Sequence, residues 1–375
     1  GKEREGKAMK VSDVKAINLR GGNNTIVQVY SDEGIVGIGH IDSSSVARYI
    51  VEGELKPLLI GEDPLQVERL WIKMYRAIRW HGLRGVSIHA MAGIDMALWD
   101  LAGKKLGVPV WKLLGGRYRD KVIPYASASF GRKSREELAR ETYMYREQGF
   151  RAVKFGWGLF GRLSVEKDVE MVRGVREGAG DDMEVIIDAG APWEANAARM
   201  IRTIREIERY GILFFEEPLP QDDLEGYRRI KASVDTPIAS GESLGSIYEF
   251  MPLIDQRLVD IVQPDPSRVG LTQWRRIARM AEEANMLCIP HDWSTGINII
   301  AQIHLVASIP NGEYIEYHRP ITHPEDPEAL AFASAIMDEL LLEPFELKNG
   351  YFEVPDKPGL GIELNEAVLR RYGAK

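Results

Sequence analysis

From residue 121 onward one unit recurs: a short apolar strand, a polar residue at its end, a loop and an amphipathic helix. The strands read KVIPYASAS, RAVKFGW, EVIIDAG, LFFEEP, PIASGE, VDIVQPD, MLCIPHD and EYIEYH. Nearly all are followed by a helical pattern such as SVEKDVEMVRGVREG or LTQWRRIARMAEEAN. Runs that are apolar throughout belong to strands buried on both faces, and alternation with helices makes their sheet parallel. Eight such units over about 200 residues predict an α/β fold of the (β/α)8-barrel type, assigned here to residues 119–343.

The strand ends carry more information than the strands. Strands two to eight end in Lys154, Asp188, Glu216, Glu242, Asp265, His291 and Glu316. From Asp188 onward the steps are 28, 26, 23, 26 and 25 residues, each one strand, one helix and two loops. A closed parallel barrel delivers all those ends to its carboxyl face, where barrel enzymes keep their active sites. One polar strand end is ordinary; seven in register are hard to assign to solvation.

Residues 9–118 have a different texture and read as an α+β capping domain. TIVQVYSDEGIVGIGH is a hairpin broken at Asp32-Glu33-Gly34. DPLQVERLWIKMYRAIRW is a helix with Asp63 as its cap and Pro64 at its first position. AMAGIDMALWDLAGKKLG puts Met91, Ile94, Leu98 and Leu101 on one helix face and stops at Gly107. The tail, residues 344–375, regains strand and turn character in YFEVPDKPGLGIEL and is expected to fold back onto the cap.

Composition narrows the function classes. The charged opening GKEREGKAMK has no signal-peptide core and reads as an extension before Met9. No apolar run approaches the roughly 20 residues of a membrane helix. A single cysteine, Cys288, excludes an internal disulfide and suits a reducing cytoplasm; in its apolar strand it reads as inert packing. With 48 Lys and Arg against 56 Asp and Glu, the chain carries −8, which disfavours nucleic acid as a partner.

Asp188, Glu216 and Glu242 come from consecutive strands. Three carboxylates do not stay ionised together in a low-dielectric pocket without a cation. Oxygen ligands with no His or Cys among them favour Mg²⁺ over zinc or copper; the competing reading is a salt-bridged rim. In FFEEPLP, strand alternation forbids Glu216 and Glu217 from facing one ion alike, so Glu216 is assigned to the metal and Glu217 to a neighbouring cation. Asp265 and His291 end adjacent strands, about 4.8 Å apart. An Asp on one ring nitrogen orients the imidazole and frees the other for proton transfer. Lys154 in a barrel mouth needs acids or an anionic substrate as partners. Glu316, crowded by acids, is expected to be protonated and to donate to a substrate oxygen, or else to pair with Arg319 or His318.

Some motifs compete with this reading. Gly156-Trp157-Gly158-Leu159-Phe160-Gly161 matches GxGxxG, but no acid ends the next strand about 20 residues on, and bulky residues fill it. The polar loops His81–Gly85 and Arg20–Asn24 read as ordinary surface loops, the competing expectation being that either covers the barrel mouth and chooses substrates.

Taken with their order, these residues resemble the enolase superfamily, in its mandelate racemase and muconate-lactonizing branch, over nearly the whole chain. GIDMALWDLAGKKLGVPVWKLLGG is similar to its cap-to-barrel junction and VPDKPGLGIEL to its returning tail. IIDAG, FFEEP and SGES match its metal-ligand strand ends, which implies ligand roles for Asp188, Glu216 and Glu242. QPD and PHD match the Asp–His dyad of the mandelate racemase subgroup, implying that role for Asp265 and His291. YIEYH resembles the strand whose carboxyl contacts the substrate carboxylate, here Glu316. Where racemases of the subgroup carry Lys-x-Lys, this chain has Lys154-Phe155-Gly156. Lys154 matches the lysine that stabilises the intermediate; Gly156 replaces the second base.

The resemblance therefore implies a Mg²⁺-dependent dehydratase of a sugar acid rather than a racemase. A single His removes the α-proton and protonates the leaving β-hydroxyl, giving a 2-keto-3-deoxy acid. The alternatives are a racemase or epimerase with another base, a non-catalytic sugar-acid binding protein, and the nicotinamide enzyme of the glycine motif. The resemblance also implies a symmetric homo-oligomer.

Overall fold

The computed structural model describes residues 8–21, 23–319 and 327–374; residues 1–7 of the charged opening and Gly22 of the Arg20–Asn24 loop lie outside them. Strands β1 (Val11–Asn18), β2 (Asn24–Ser31) and β3 (Val36–Asp42) form an antiparallel sheet in the order β1-β2-β3. The β2–β3 hairpin turns where the sequence predicts. Gly34 (φ +81°) donates to the Ser31 carbonyl and Ser31 to that of Ile35. The helix Val86–Leu106 packs on β3 with almost no intervening side chain, because a Cβ at Gly39 would lie 1.9 Å from the Gly93 carbonyl oxygen. Its Met91, Ile94, Leu98 and Leu101 are fully buried, and Gly107 ends it in the left-handed conformation.

The helix expected to open at Asp63-Pro64 instead begins at Val67, with Gln66 at its N-cap. Asp63 accepts from the Leu65 amide at 2.9 Å and from the Gln66 side chain. A local Asx-type turn takes the capping acid, and the helix starts after it.

The eight barrel strands are those read from the sequence: β4 (Lys121–Ser129), β5 (Ala152–Gly156), β6 (Glu184–Asp188), β7 (Ile212–Glu216), β8 (Ile238–Ser240), β9 (Ile261–Val262), β10 (Leu287–Cys288) and β11 (Tyr314–His318). They pair in parallel in the order β10-β9-β8-β7-β6-β5-β4-β11. Between β10 and β11 the strand ladder gives way to single links, such as the Cys288 amide to the Asn311 carbonyl at 2.9 Å. Side-chain polar caps start the helices after β4 to β7, with Ser134 and Glu137 in a reciprocal capping box and Ser164, Asn196 and Asp223 each accepting from a first-turn amide.

The barrel interior is layered by strand parity. Tyr125, Ala152, Ile186 and Phe214 form a buried apolar plug with Ala239, Ile261 and Ile289. Two residues further along the same strands stand Ser127, Lys154, Asp188 and Glu216, all facing the same side. Burying a ring such as Phe214 contributes about 2–3 kcal/mol, so hydrophobic packing supplies the floor on which the polar layer rests.

The tail departs in part from expectation. Its strand β12 (Phe352–Glu353) pairs with β4 at the start of the barrel rather than with the cap. Only beyond it does the chain reach the cap segment, through bridges from Gly359 to Pro109 and from Gly373 to Leu19 and the Asp100 carboxylate accepting from the Leu360 amide at 2.7 Å. No helix among the described residues is long and apolar enough to cross a membrane.

Candidate active site

All seven strand-end residues meet above the apolar plug. One oxygen from each of Asp188, Glu216 and Glu242 lies within 4.8 Å of the other two, and all three residues are buried. Lys154 Nζ is 2.7 Å from Glu216 Oε1, 2.7 Å from Glu316 Oε1 and 3.8 Å from Asp188 Oδ2. The ammonium is thus shared between the triad and Glu316, which supplies the acid partners expected of it. Burial works against its charge, but Glu216 and Glu316 hold the Lys154 pKa well above the usual range.

The dyad is present as geometry. His291 Nδ1 is 2.7 Å from Asp265 Oδ2, and His291 Nε2 is 3.5 Å from Glu242 Oε2. Asp265 Oδ1 accepts from the Ser267 amide (2.8 Å), the Ser267 hydroxyl (2.6 Å) and Asn298 Nδ2 (3.0 Å). With its donors supplied, Asp265 stays ionised: burial opposes this, but the His291 hydrogen bond and charge prevail. Burial also opposes charge on the ring, yet Glu242, Glu316 and Asp265 push His291 up to about 10. Asp265 therefore fixes the tautomer with Nδ1–H toward itself and leaves Nε2 facing the triad.

Two expectations need correction. Glu316 is not a neutral donor: despite burial, Lys154 and His291 hold its pKa below the usual value. It accepts from the Ser127 hydroxyl at 2.6 Å and the Asp292 amide at 2.9 Å. Arg319 pairs with Asp338 instead, and His318 stacks on Trp293. Glu217 is not held by a cation either. The chain turns into the left-handed region at Glu217 (φ +47°), and its Oε1 accepts from the Ser240 hydroxyl at 2.7 Å. Buried there, with Glu242 nearby, it is pushed up to about 8.

Several polar residues at the same level were not singled out in the sequence. Ser127 is the β4 residue paired with Lys154, and strand register alone marks it as mouth-facing. Gln263, inside the QPD motif, donates to Glu216 Oε2 at 2.8 Å. Asn298 links Asp265 to Asp292. Asp42 and Arg268 lie 226 residues apart, and no local pattern joins them.

At Gly156 the backbone lies close against Asp188. A Cβ there would fall 2.6 Å from Asp188 Oδ2, so no side chain fits without displacing that acid. Gly158 and Gly161 adopt positive φ in the following turn, and the GxGxxG match is the loop between β5 and the helix Val165–Ala179. Cys288 is buried, and burial alone raises its thiol pKa. The His81–Gly85 loop reaches the barrel through Arg84, 3.5 Å from Glu249 in the helix after β8.

The donor set fits a hard cation. Glu242 Oε2 and Gln263 Oε1, at the triad, and Asp292 Oδ2 and Asn298 Oδ1, beside the dyad, are buried without a hydrogen-bond partner among the described residues. Burial, and then Glu216 for Asp188, raise the Asp188 pKa well above the carboxylate range and Glu216 to about 7. Crowded acids with unfilled lone pairs are the arrangement a divalent ion relieves.

The comparisons with known proteins agree with this geometry. Residues 18–115 match the family model "Mandelate racemase / muconate lactonizing enzyme, N-terminal domain", and residues 136–368 match "Enolase C-terminal domain-like". The chain is 34% identical over 354 residues to an arabinonate dehydratase of Saccharolobus solfataricus, covering 93% of this chain and 90% of that one. It is 35% identical to a D-galactarolactone cycloisomerase of Agrobacterium fabrum, covering 93% and 91%. A 3,6-anhydro-D-galactonate cycloisomerase of Zobellia galactanivorans superposes with a TM-score of 0.87 at 32% identity, over 98% of this chain and 100% of that one. With a capping sheet, a parallel eight-stranded barrel and both domain models matched, the chain belongs to the mandelate racemase and muconate-lactonizing branch of the enolase superfamily.

Proposed function

We propose that this chain is a carbon–oxygen hydro-lyase that dehydrates an aldonate or aldarate to a 2-keto-3-deoxy acid. The observation that carries the reading is one imidazole, oriented by Asp265, facing the acid triad with glycine where a second base would stand. Asp188, Glu216 and Glu242 would hold Mg²⁺. Bound there, the ion supplies positive charge where negative charge develops on the substrate carboxylate.

The chain's own groups account for the proton movements. An α-proton beside a carboxylate is very weakly acidic, because its removal leaves two negative charges on one small group. Lys154 Nζ directs a full positive charge at that developing charge, a contribution of about 3 kcal/mol or roughly a hundredfold in rate. Glu316, ionised, fixes Lys154 and the Asp292 amide rather than donating to substrate. His291 Nε2 takes the α-proton; the β C–O bond then breaks, and the same Nε2–H delivers its proton to the departing hydroxyl, which leaves as water. The resulting enol tautomerises to the ketone. Neutralising Glu242 removes part of the field that keeps the ring protonated, which brings His291 toward a pKa suited to a base.

A related reading is favoured by the cycloisomerases among the relatives: the same proton abstraction, with a ring oxygen as the leaving group and no water lost. Proton NMR in D₂O over a panel of aldonic, aldaric and anhydro-sugar acids tests both. A new 3-deoxy methylene with loss of a carbinol signal marks dehydration. Ring opening without water loss marks cycloisomerisation, and exchange with inversion overturns the single-base scheme. The proposal extends to a symmetric homo-oligomer in a reducing cytoplasm, which light scattering and cell fractionation check.

A further inference from the structure

Above the site, the cap and the barrel meet at one guanidinium. Arg268 lies in the first turn of the helix Pro266–Glu283, three residues after Asp265. Its Nη2 donates to Asp42 Oδ2 at 2.7 Å, and its Nη1 donates to the main-chain carbonyl of Glu242 at 2.9 Å. Its Nε stands 4.0 Å from Asp265 Oδ2. The partners belong to the last residue of β3 in the cap sheet, to the loop carrying one acid of the triad, and to the dyad. A planar fork fixes angles as well as distances, which a point-charge ammonium does not.

The contact is not required to hold the cap on. Helix Val86–Leu106 is already docked on helix Pro266–Glu283, with Asp95 accepting from the Thr272 amide (2.8 Å) and hydroxyl (2.5 Å) and Trp99 Nε1 donating to that hydroxyl (2.9 Å). Arg268 instead reaches two site segments that lie past the ends of their strands. Glu242 and Asp265 both lie beyond the ends of their strands, β8 and β9, in segments with no ladder to fix them.

We propose that Asp42, acting through Arg268, is a positioning residue that couples the seating of the cap to the placement of Glu242 and Asp265. The inference rests on the reading that the triad holds a divalent ion. The test uses magnesium alone, titrated calorimetrically into the metal-free full chain, beside kcat and KM for the best acid substrate. Asp42→Ala is expected to weaken magnesium binding about tenfold or more and to lower kcat with little change in KM. Asp42→Asn keeps an acceptor for Nη2 and should restore most of both. Arg268→Lys, one donor group in place of a fork, should reproduce the loss, and the double variant should be no worse than Asp42→Ala alone. A raised KM with unchanged magnesium affinity and kcat would make Asp42 a substrate-side residue and overturn the inference. If Asp42→Ala does not fold, wild-type magnesium affinity in Arg268→Lys overturns it equally. A wild-type chain that takes up no magnesium overturns the functional reading itself, whereas equal uptake by wild type and variants overturns this inference alone.

Discussion

The barrel mouth and the cap helix Val86–Leu106 both bury carboxylates, and they treat them in opposite ways. In the helix, Asp100 accepts from the Ile38 amide (2.8 Å), the Leu360 amide (2.7 Å) and Lys104 Nζ (2.7 Å), so cap sheet, tail and helix close on one side chain. Asp95 is filled in the same manner by the Thr272 amide and hydroxyl. At the mouth, three acids crowd within 4.8 Å and Glu242 Oε2 has no hydrogen-bond partner among the described residues. Burying a polar group is tolerated when donors meet it and costly when they do not. A saturated buried acid is a structural joint; a cluster of three acids beside one ammonium keeps repulsion that a bound cation would relieve.

That contrast is breakable by substitution. The largest effect is expected at the dyad. His291→Asn should lower turnover about a thousandfold or more while the unfolding midpoint and magnesium binding stay put; steady-state rates beside a thermal melt decide. A variant with near-normal rate would end the single-base mechanism.

Next in size is Asp100→Ala. It strands two buried amides and leaves the Lys104 ammonium with only the Val36 carbonyl, so it should cost about 3–5 kcal/mol, read by urea denaturation. A loss under 1 kcal/mol would mean that the saturated joint is dispensable.

A comparable effect is expected from acid. His304 Nδ1 accepts from the Trp111 amide at 3.2 Å and its Nε2 donates to the Leu360 carbonyl at 3.0 Å, tying the tail to the barrel. Burial depresses its pKa to about 4 from 6.5. The unfolded chain therefore binds the proton first as pH falls, and the contribution of the neutral ring, complete above pH 6.5, is lost toward pH 4. The full excursion is worth about 3 kcal/mol. The check is the difference between wild type and His304→Gln in denaturation across that window; parallel curves would refute it.

The smallest effect carries the opposite sign. Asp188→Asn should leave metal-free stability unchanged or raise it by about 1 kcal/mol, because it replaces a carboxyl whose ionisation burial and Glu216 already oppose, while it abolishes magnesium uptake. A large loss of stability in chelator would place Asp188 with Asp100, among the joints.

Most of the barrel was legible from strand spacing, because a parallel barrel must send each strand end to the same rim. Lys154, Asp188, Glu216 and Glu316 could be placed by parity alone, as they stand on strands. His291 and Asp265 lie beyond two-residue strands, and their pairing was readable only because the units are adjacent. Charge states were less legible. Glu316 is held ionised by Lys154 from a strand two places round the ring, and Glu217 meets the Ser240 hydroxyl rather than a cation where the chain turns left-handed immediately after Glu216. Both depend on neighbours that periodicity does not encode. The Asp42–Arg268 link is more remote still, joining cap and barrel without any local signature. Asp63 shows the reverse failure, a local turn overriding a well-formed capping signal.

The unsaturated triad is the centre of the account, and exhaustive chelation tests it most directly. The metal-free protein should remain folded, lose turnover of its sugar acid, and recover it on addition of magnesium. Full activity after chelation, with no magnesium uptake by calorimetry, would contradict it.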